Sequence, residues 1–330
     1  MAVIGAGAIG GKHIDTIRNE PLAELVATAD PVAKADFADY REMLAKVKPE
    51  AVVIATPNAR HLPVGLACAA AGIPMLVEKP IADTLEAANR LVDAAERAGV
   101  PLLVGHHRRH NPIVEMAREI VQGGRLGRLT AVAALFLLQK PADYFHVAWR
   151  RESGGGPLLI NLIHDVDNLR FICGEIAEVQ AMSSNAVRGF EVEDSAVVTF
   201  RFASGALGTA TVSDAVAAPW SWEISSGENP GYPRQHENCY LFTGTEASLA
   251  LPALELWSYQ DKRGWHAPLS RERLQVAHED PLVRQIRHFC HVVRGEEKPR
   301  ISGADAARTL AATLAIHEAA ASRRPVILPA

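Results

Sequence analysis

The sequence predicts two domains of different class, an α/β domain with a parallel sheet over residues 1–112 and an α+β domain over residues 113–330. Up to about residue 110, short apolar runs alternate with amphipathic stretches of helical period, which is typical of a doubly wound parallel sheet. Beyond it, segments such as 192–215 alternate apolar and polar residues, as antiparallel strands do. We allow for the C-terminal helix packing back on the first domain.

In the first domain, the predicted strands cover residues 2–4, 23–30, 50–56, 73–80 and 100–107. Helices are expected at 61–72 and 84–99, the second with Thr84 as its N-cap and Gly99 just past its end.

In the second domain, strands are expected at 128–138, within 192–215, where Ser204 and Gly205 form a hairpin turn, and within 239–251 and 254–259. One helix is predicted to start at Pro157. The last two helices are predicted to start at Asp280-Pro281 and at the capping box of Ser302 and Asp305, the final one ending near residue 323.

The composition excludes several classes of function. Of the 330 residues, 48% are hydrophobic and 22% charged, and the net charge of −4 gives no basis for binding nucleic acid or an anionic membrane. No apolar run is long enough to span a bilayer, and no secretory signal pattern is present. The four cysteines are scattered without metal-ligand spacing, so we expect no metal site and a reducing, cytoplasmic compartment.

A glycine-rich stretch, Gly5-Ala6-Gly7-Ala8-Ile9-Gly10, follows the first predicted strand. Gly5 allows a tight turn, Gly7 lets the backbone approach a pyrophosphate, and Gly10 lets a helix pack on the strand, with Ala8 and Ile9 at the helix N-terminus. The pattern alone also fits a glycine-rich loop in an unrelated α/β protein, but its setting between a strand and a helix favours a dinucleotide site.

Asp30 ends the second strand, 20 positions after Gly10. An acid there holds ribose hydroxyls and repels a 2′-phosphate, so we predict NAD over NADP. Only about six residues separate Asp30 from "FADYREML". Dinucleotide-binding folds usually place a helix and a third strand there. The short spacing indicates that the N-terminal part of this domain is shortened or incomplete.

Two further groups of polar residues follow predicted strands at the edge where a ligand is expected. Thr56, Pro57 and Asn58 suit contacts to phosphate or ribose, although Pro-Asn is also common in ordinary turns. Lys79 lies between Glu78 and Pro80, where a cis proline would turn the lysine into a cleft. The alternative for Lys79 is an exposed lysine at a strand end.

The stretch 153–174 joins a Gly-Gly-Gly loop to the helix from Pro157, and places Asn161 and His164 on one helix face. The alternative for His164 is a buried core histidine. Tyr144 and Trp149 offer aromatic rings on which a sugar can stack, and the guanidinium of Arg150 offers hydrogen-bond donors. The alternative is that these residues form only a surface loop. Arg108, Arg109 and Arg150 together would favour a carboxylated substrate.

With GAGAIG, ATPNARH, EKP, GHHRRHNP and GGGPLLINLIHDVD in this order, the chain resembles the Gfo/Idh/MocA family over nearly its whole length. The resemblance implies a Rossmann domain followed by an α+β domain with a large, mostly antiparallel open sheet. It also implies a homodimer or homotetramer formed through that sheet. Lys79 and His164 then lie at the substrate and nicotinamide, and His61, Glu78, Lys79 and His107 join the expected cofactor contacts.

One position departs from the family pattern. Many members carry Asp four residues before this histidine, whereas this chain has Ile160. The hydrogen-bonding partner of Lys79 is therefore not assigned, and Asp165 or Asp167 could replace the missing acid.

The predicted function is an NAD(P)-dependent oxidoreductase that acts on a secondary alcohol or carbonyl of a sugar, polyol, sugar acid or cyclic diol. Lys79, Tyr144, Trp149, Arg150, Asn161 and His164 are expected to contact this small substrate. His164 serves as acid/base with Lys79 polarising the oxygen, or the two roles are reversed. One alternative is an enzyme that retains NAD and uses transient oxidation for elimination or glycoside cleavage. Another is a non-catalytic protein that binds sugar or NAD.

Overall fold

The structure is a computed structural model that describes residues 1–329, and Ala330, where the predicted second domain ends, lies outside them. The strands are β1 (Ala2–Ile4), β2 (Ala27–Ala29), β3 (Val52–Ile54), β4 (Met75–Val77), β5 (Leu102–Val104), β6 (Leu129–Leu137), β7 (Ile176–Ser184), β8 (Ser195–Phe202), β9 (Leu207–Ser213), β10 (Tyr240–Gly244), β11 (Ala247–Leu251), β12 (Glu255–Ser258), β13 (Ser270–Arg273) and β14 (Val326–Ile327). The α-helices are α1 (Ala8–Asn19), α2 (Tyr40–Val47), α3 (His61–Ala70), α4 (Leu85–Ala98), α5 (Pro112–Gln122), α6 (Pro157–Ile160), α7 (Leu162–Cys173), α8 (Trp222–Ser225), α9 (Pro281–Val293) and α10 (Gly303–Ser322).

The chain forms two compact units, one of Met1–Asn111 with Glu279–Leu310 and the other of Pro112–His278 with the residues from Ala311 onward. The sequence-based division assigned residues 113–330 to the second domain but allowed the C-terminal helix to pack back on the first, and in the structure Glu279–Leu310 belongs to the first unit. The reason is packing within the first unit, where α9 lies against α1 and the N–H of Val104 donates to the carbonyl oxygen of Ile301 at 3.0 Å.

The first unit contains a five-stranded parallel sheet in the order β2-β1-β3-β4-β5. Every residue of these strands is buried, as expected for a parallel sheet covered on both faces. Beyond β2, a single residue, Phe37, extends the sheet through a parallel bridge to Ala29. This bridge stands where the sequence analysis noted that a helix and a third strand are usual.

The second unit contains a nine-stranded sheet in the order β13-β12-β11-β10-β6-β9-β8-β7-β14. Its pairs are antiparallel except β6 with β9, so the predicted, mostly antiparallel sheet is confirmed. Alternate residues of β8 are buried in a core that also contains α5, α7 and the later turns of α10. The other face of the sheet leaves Val197, Leu207 and Leu241 exposed.

Several local predictions are confirmed by the backbone. Gly205, with a φ of +86°, closes the hairpin between β8 and β9, and the Asp280 side chain caps α9 with Pro281 in its first turn. Strands β7, β13 and β14 were not predicted. Within residues 1–329, none of the helices has the length and apolar character needed to cross a bilayer.

Candidate active site

The glycine turn after β1 leaves no room for a side chain at two of its three glycines. Gly5 has a φ of +96°, and a Cβ there would lie 2.5 Å from the carbonyl oxygen of Ala55. A Cβ on Gly10 would lie 1.9 Å from the carbonyl oxygen of Gly5. Gly7 is exposed and faces open space, and α1 starts at Ala8 without a side-chain cap. The first N–H groups of α1 therefore suit a pyrophosphate.

Asp30 follows β2 and is bound by the backbone of two turns. One carboxylate oxygen accepts from the N–H of Ala6 at 2.7 Å, and the other accepts from the N–H groups of Val32 and Ala33, each at 2.8 Å. Burial raises the pKa of Asp30, but these three donors outweigh it and leave the pKa below its usual value. The resulting negative charge suits ribose hydroxyls and opposes a 2′-phosphate.

Four of the predicted cofactor contacts lie in the turn after β3 and at the first residue of α3. Pro57 and Asn58 are exposed and Thr56 is half-buried, so all three remain candidates. His61 is fully buried, with Nδ1 2.9 Å from the carbonyl oxygen of Pro80 and Nε2 2.9 Å from that of Thr56. The expectation for His61 is therefore corrected, because both ring nitrogens face backbone oxygens and the side chain joins two turns.

Glu78 also differs from the sequence expectation of a direct cofactor contact, because its carboxylate is buried and bound by the protein. His13 Nε2 lies 2.7 Å from Glu78 Oε1, and the N–H of Lys79 donates to Oε2 at 3.1 Å. Burial raises the pKa of Glu78, but the hydrogen bond and charge of His13 and the charges of His107 and Lys79 lower it to about 2. The ionised carboxylate thus links α1 to the backbone of Lys79.

Lys79 and His107 remain candidates for contact with ligand. Both side chains are half-buried, and the Lys79–Pro80 peptide bond is cis, as predicted. His107 begins a 3-10 turn, His107–His110, after β5.

Two arginines of that turn, Arg108 and Arg109, were predicted to favour a carboxylated substrate. Arg108 and Arg109 are both buried. Arg109 pairs with Asp305 in the first turn of α10, and its carbonyl oxygen accepts from Arg300 Nη1 at 3.1 Å. Because Asp305 already neutralises Arg109, this pairing counts against Arg109 as a group that binds a substrate carboxylate.

In the second unit, the predicted single helix from Pro157 is corrected to two helices. The break lies at Asn161, with φ of −109° and ψ of −56°. Helix α7 then carries His164, which is 8% exposed and whose N–H donates to the carbonyl oxygen of Asn161 at 3.0 Å. Asn161 and His164 therefore remain joined by one turn of backbone.

Asp165 is part of the core of the second unit. It is buried and accepts a hydrogen bond from the hydroxyl of Tyr240, to which Asn168 Nδ2 also donates at 3.3 Å. This contact with Tyr240 counts against Asp165 as the substitute for the acid missing at position 160. Asp167 is also buried.

A lysine that the sequence analysis did not single out lies beside Asn161. The Nζ of the buried Lys140 donates to Asn161 Oδ1 at 2.8 Å and lies 3.1 Å from Asp214 Oδ2. Asp214 also pairs with Arg188. Burial lowers the pKa of Lys140, although Asp214 opposes this change.

The parallel pairing of β6 with β9 brings Lys140 and Asp214 together. Leu137 lies opposite Ser213 at the ends of these strands, and the N–H of Lys140 donates to the carbonyl oxygen of Asp214 at 2.9 Å. A charged residue soon after a long apolar strand was the only sequence signal for this site.

The segment before the Gly-Gly-Gly loop folds into two 3-10 turns, Ala142–His146 and Ala148–Arg151. The Cζ atom of Arg150 lies 4.0 Å from the centre of the Tyr144 ring, and Lys140 Nζ lies 4.7 Å from it. Trp149 is 50% exposed. These aromatic and cationic groups can therefore meet a polyhydroxylated ligand through both stacking and hydrogen bonds.

An uncapped helix at a glycine turn, an ionised acid after the second strand and a parallel sheet define an NAD-binding Rossmann domain. Residues 1–106 match the family model described as an oxidoreductase family with an NAD-binding Rossmann fold, and residues 114–250 match the GFO/IDH/MocA C-terminal domain. The chain therefore belongs to the GFO/IDH/MocA family of oxidoreductases.

Individual relatives agree with this assignment. The chain is 30% identical to the rhizopine catabolism protein MocA of Rhizobium meliloti over 57% of its own length, and spans 63% of that protein. It is 32% identical to inositol 2-dehydrogenase of Rubrobacter xylanophilus, over 68% of this chain and 67% of the relative. The fold matches that of WlbA dehydrogenase of Bordetella pertussis, solved with NADH and UDP-GlcNAcA, with a TM-score of 0.79 and 24% identity. The match covers 100% of this chain and 98% of that one.

Proposed function

We propose that the chain is an NAD-dependent oxidoreductase that transfers a hydride between the nicotinamide and a secondary alcohol or carbonyl. The substrate class is a sugar, polyol, sugar acid or related cyclic diol. The observation that carries the proposal is the Glu78 carboxylate, which joins the helix of the glycine turn, through His13, to the backbone of Lys79. One buried group thus connects the predicted dinucleotide site with a lysine suited to act on a substrate oxygen.

The reaction requires a proton acceptor as well as a hydride carrier. Held at the N-terminus of α1 and by Asp30, NAD⁺ would supply the hydride acceptor, and NADH would supply the hydride donor for the reverse direction. His164 takes the hydroxyl proton, since the ordinary pKa of histidine is about 6.5. Lys79, as a cation, stabilises the negative charge that develops on the oxygen. In the reversed assignment, burial and the nearby positive nicotinamide would favour neutral Lys79 as the acceptor.

The name of one relative and the ligand bound in one solved structure support a polyhydroxylated substrate. The Rubrobacter xylanophilus relative is named for inositol, and the Bordetella pertussis structure contains a sugar nucleotide. The exposed Trp149 and the Tyr144 ring are suitable surfaces for such a ligand.

Absorbance at 340 nm tests the proposal with NAD⁺ or NADP⁺ and a panel of polyols, aldoses, sugar acids and cyclic diols. We expect NADH formation with NAD⁺. Product formed without net NADH would instead support a retained NAD, and ligand binding without any product would support a binding protein.

A variant tests the assigned role of Lys79. Lys79→Met should lower turnover by about 10²-fold or more, because a cation beside the developing charge is lost. NADH affinity, measured by fluorescence titration, should stay close to that of the parent. The control is Lys298→Met at an exposed lysine of the same unit. Equal turnover in Lys79→Met and the control would refute the assigned role.

We also propose a homodimer or homotetramer formed through the outer face of the nine-stranded sheet. Val197, Leu207 and Leu241 on that face are 52%, 52% and 47% exposed, which is unusual for several large apolar side chains on one sheet. Light scattering should give a dimer or tetramer for the parent and a smaller species for Leu241→Glu. The control is Leu269→Glu, at an exposed leucine that precedes β13.

A cytoplasmic location is proposed as well. Cys68, Cys173, Cys239 and Cys290 form no disulfide within residues 1–329, which suits a reducing compartment. Fractionation of cells that express the full chain would test this, and recovery outside the cytoplasm would contradict it.

A further inference from the structure

Arg150, in the second unit, has a guanidinium edge to which no group within residues 1–329 binds. Its Nη1 donates to the carbonyl oxygen of Tyr144 at 2.8 Å. Its Nε is buried, and within residues 1–329 neither Nε nor Nη2 has a hydrogen-bond partner. The Nε–Nη2 edge of a guanidinium matches the two oxygens of a carboxylate. A buried donor without an acceptor is costly, so an acceptor supplied by a ligand would stabilise this arrangement.

The neighbouring charges leave Arg150 as a cation without a carboxylate. Lys140 and Arg188 share Asp214, and Glu223 adds a second negative charge near Lys140. Arg150, by contrast, forms no ion pair with any carboxylate of the described residues. An anion that binds there would therefore not have to displace a protein carboxylate.

The backbone and ring contacts of Arg150 hold it in place. Its Cζ atom lies 4.0 Å from the centre of the Tyr144 ring. A Cβ on Gly155 would lie 2.9 Å from the Cα of Arg150, so the Gly-Gly-Gly loop packs directly on this backbone. The same loop leads into α6, whose end is the break at Asn161. The segment that packs on the backbone of Arg150 is therefore continuous with the helices that carry Asn161 and His164.

Asn161 is oriented as a hydrogen-bond donor. Lys140 Nζ donates to its Oδ1 at 2.8 Å, and an ammonium can only donate, so the oxygen of the amide faces the lysine. Asn161 is half-buried, and no group of residues 1–329 accepts a hydrogen bond from its Nδ2. Its amide therefore offers N–H groups to a ligand oxygen.

We infer that Arg150 is a specificity-determining residue that binds the carboxylate of a polyhydroxy acid, with the Asn161 amide donating to an oxygen of the same molecule. Lys140 acts as a positioning residue, since it fixes the orientation of that amide. This inference rests on the proposed dehydrogenase function and narrows its substrate class to sugar acids.

The first experiment compares matched acid and neutral substrates with NAD⁺, using glucuronate against glucose, galacturonate against galactose, and gluconate against glucitol. We expect kcat/KM to favour the acid by about 50-fold or more in at least one pair. Preference for the neutral member in every pair would overturn the inference while leaving the dehydrogenase proposal intact.

Two variants test the role of Arg150 with the preferred pair. Arg150→Met should lower kcat/KM for the acid by about 10²-fold, mostly through KM, and lower it for the neutral partner by a clearly smaller factor, so that the acid preference falls by about tenfold or more. Arg151→Met is the matched control, because Arg151 is the adjacent exposed arginine. An equal loss for acid and neutral substrate in Arg150→Met would overturn the inference.

A third variant tests the amide. Asn161→Asp keeps the shape of the side chain but replaces its N–H donors by an acceptor. It should therefore lower kcat/KM for the acid selectively, by about tenfold or more. Lys140→Arg should retain more of the acid preference than Lys140→Met, since a donor to Oδ1 remains. Equal acid preference in all three variants and the parent would overturn the roles assigned to Asn161 and Lys140.

A binding measurement separates the inference from the proposed reaction. If no pair yields NADH, the dehydrogenase proposal fails, and thermal unfolding of the NADH-saturated chain then decides the inference. Stabilisation by an acid in the parent and in Arg151→Met, but not in Arg150→Met, supports it. No stabilisation by any acid overturns it.

Discussion

His13 Nε2 lies 2.7 Å from Glu78 Oε1, and both side chains are buried in the first unit. His13 belongs to α1, which begins at the glycine turn, and Glu78 directly precedes Lys79. The other oxygen of Glu78 accepts from the N–H of Lys79 at 3.1 Å. A single carboxylate therefore fixes the position of the lysine backbone relative to the predicted cofactor site.

We expect Glu78→Gln to lower kcat, because an amide has one acceptor oxygen and the carboxylate uses two. Either His13 or the N–H of Lys79 then loses its acceptor. Loss of a hydrogen bond to a charged group, about 1.5–3 kcal/mol, corresponds to roughly 10- to 100-fold if it falls on the reacting geometry. Steady-state kinetics of Glu78→Gln and of the exposed control Glu96→Gln measure the effect. Identical kcat values in the two variants would contradict it.

The pKa of Glu78 also predicts how stability depends on pH. The folded-state pKa is about 2, below the usual value of 4.5, so the ionised carboxylate favours the folded state above pH 4.5. This contribution is lost as the pH falls from about 4.5 towards 2. The difference in Tm between the parent and Glu78→Gln should therefore shrink over that range. A constant difference in Tm between pH 5 and pH 2.5, measured by calorimetry, would be inconsistent with a depressed pKa.

Asp30 is expected to set the preference for NAD. Asp30→Asn removes the negative charge that opposes a 2′-phosphate but keeps one oxygen for the turn amides of Val32 and Ala33. We expect the ratio of kcat/KM for NAD to that for NADP to fall by about tenfold, since a repulsion of roughly 1–2 kcal/mol is lost. Asp36→Asn is a poor control because Asp36 binds Thr28, so the exposed Asp15→Asn serves instead. An unchanged ratio in Asp30→Asn would remove Asp30 from cofactor selection.

Much of the fold was predictable because local signals were strong. The glycine turn, the buried strand before it and Asp30 lie within 30 residues, and the caps at Asp280 and Thr84 are short-range patterns. The break at Asn161 was not predictable from helical periodicity, because the apolar pattern continues across it. The return of Glu279–Leu310 to the first unit depends on long-range packing that periodicity does not contain.

The candidate site was predicted only in part, and for a similar reason. Exposed residues such as Asn58 were identified from strand ends, but the roles of His61 and Glu78 depend on which carbonyl oxygens and side chains surround them. Lys140 meets Asp214 through the parallel pairing of β6 with β9, two strands distant in sequence. One sequence does not reveal that pairing.

Two adjacent glycines in α1 give a final prediction with an internal control. A Cβ on Gly10 would lie 1.9 Å from the carbonyl oxygen of Gly5, whereas a Cβ on Gly11 would meet nothing within 4 Å. Gly11→Ala should stabilise the chain by up to about 1 kcal/mol, because alanine favours a helix over glycine. Gly10→Ala should destabilise it and weaken NADH binding, since the turn must open to admit the methyl group. Urea unfolding and NADH titration of the two variants measure these effects, and equal stability and affinity would show that the turn is not closely packed at Gly10.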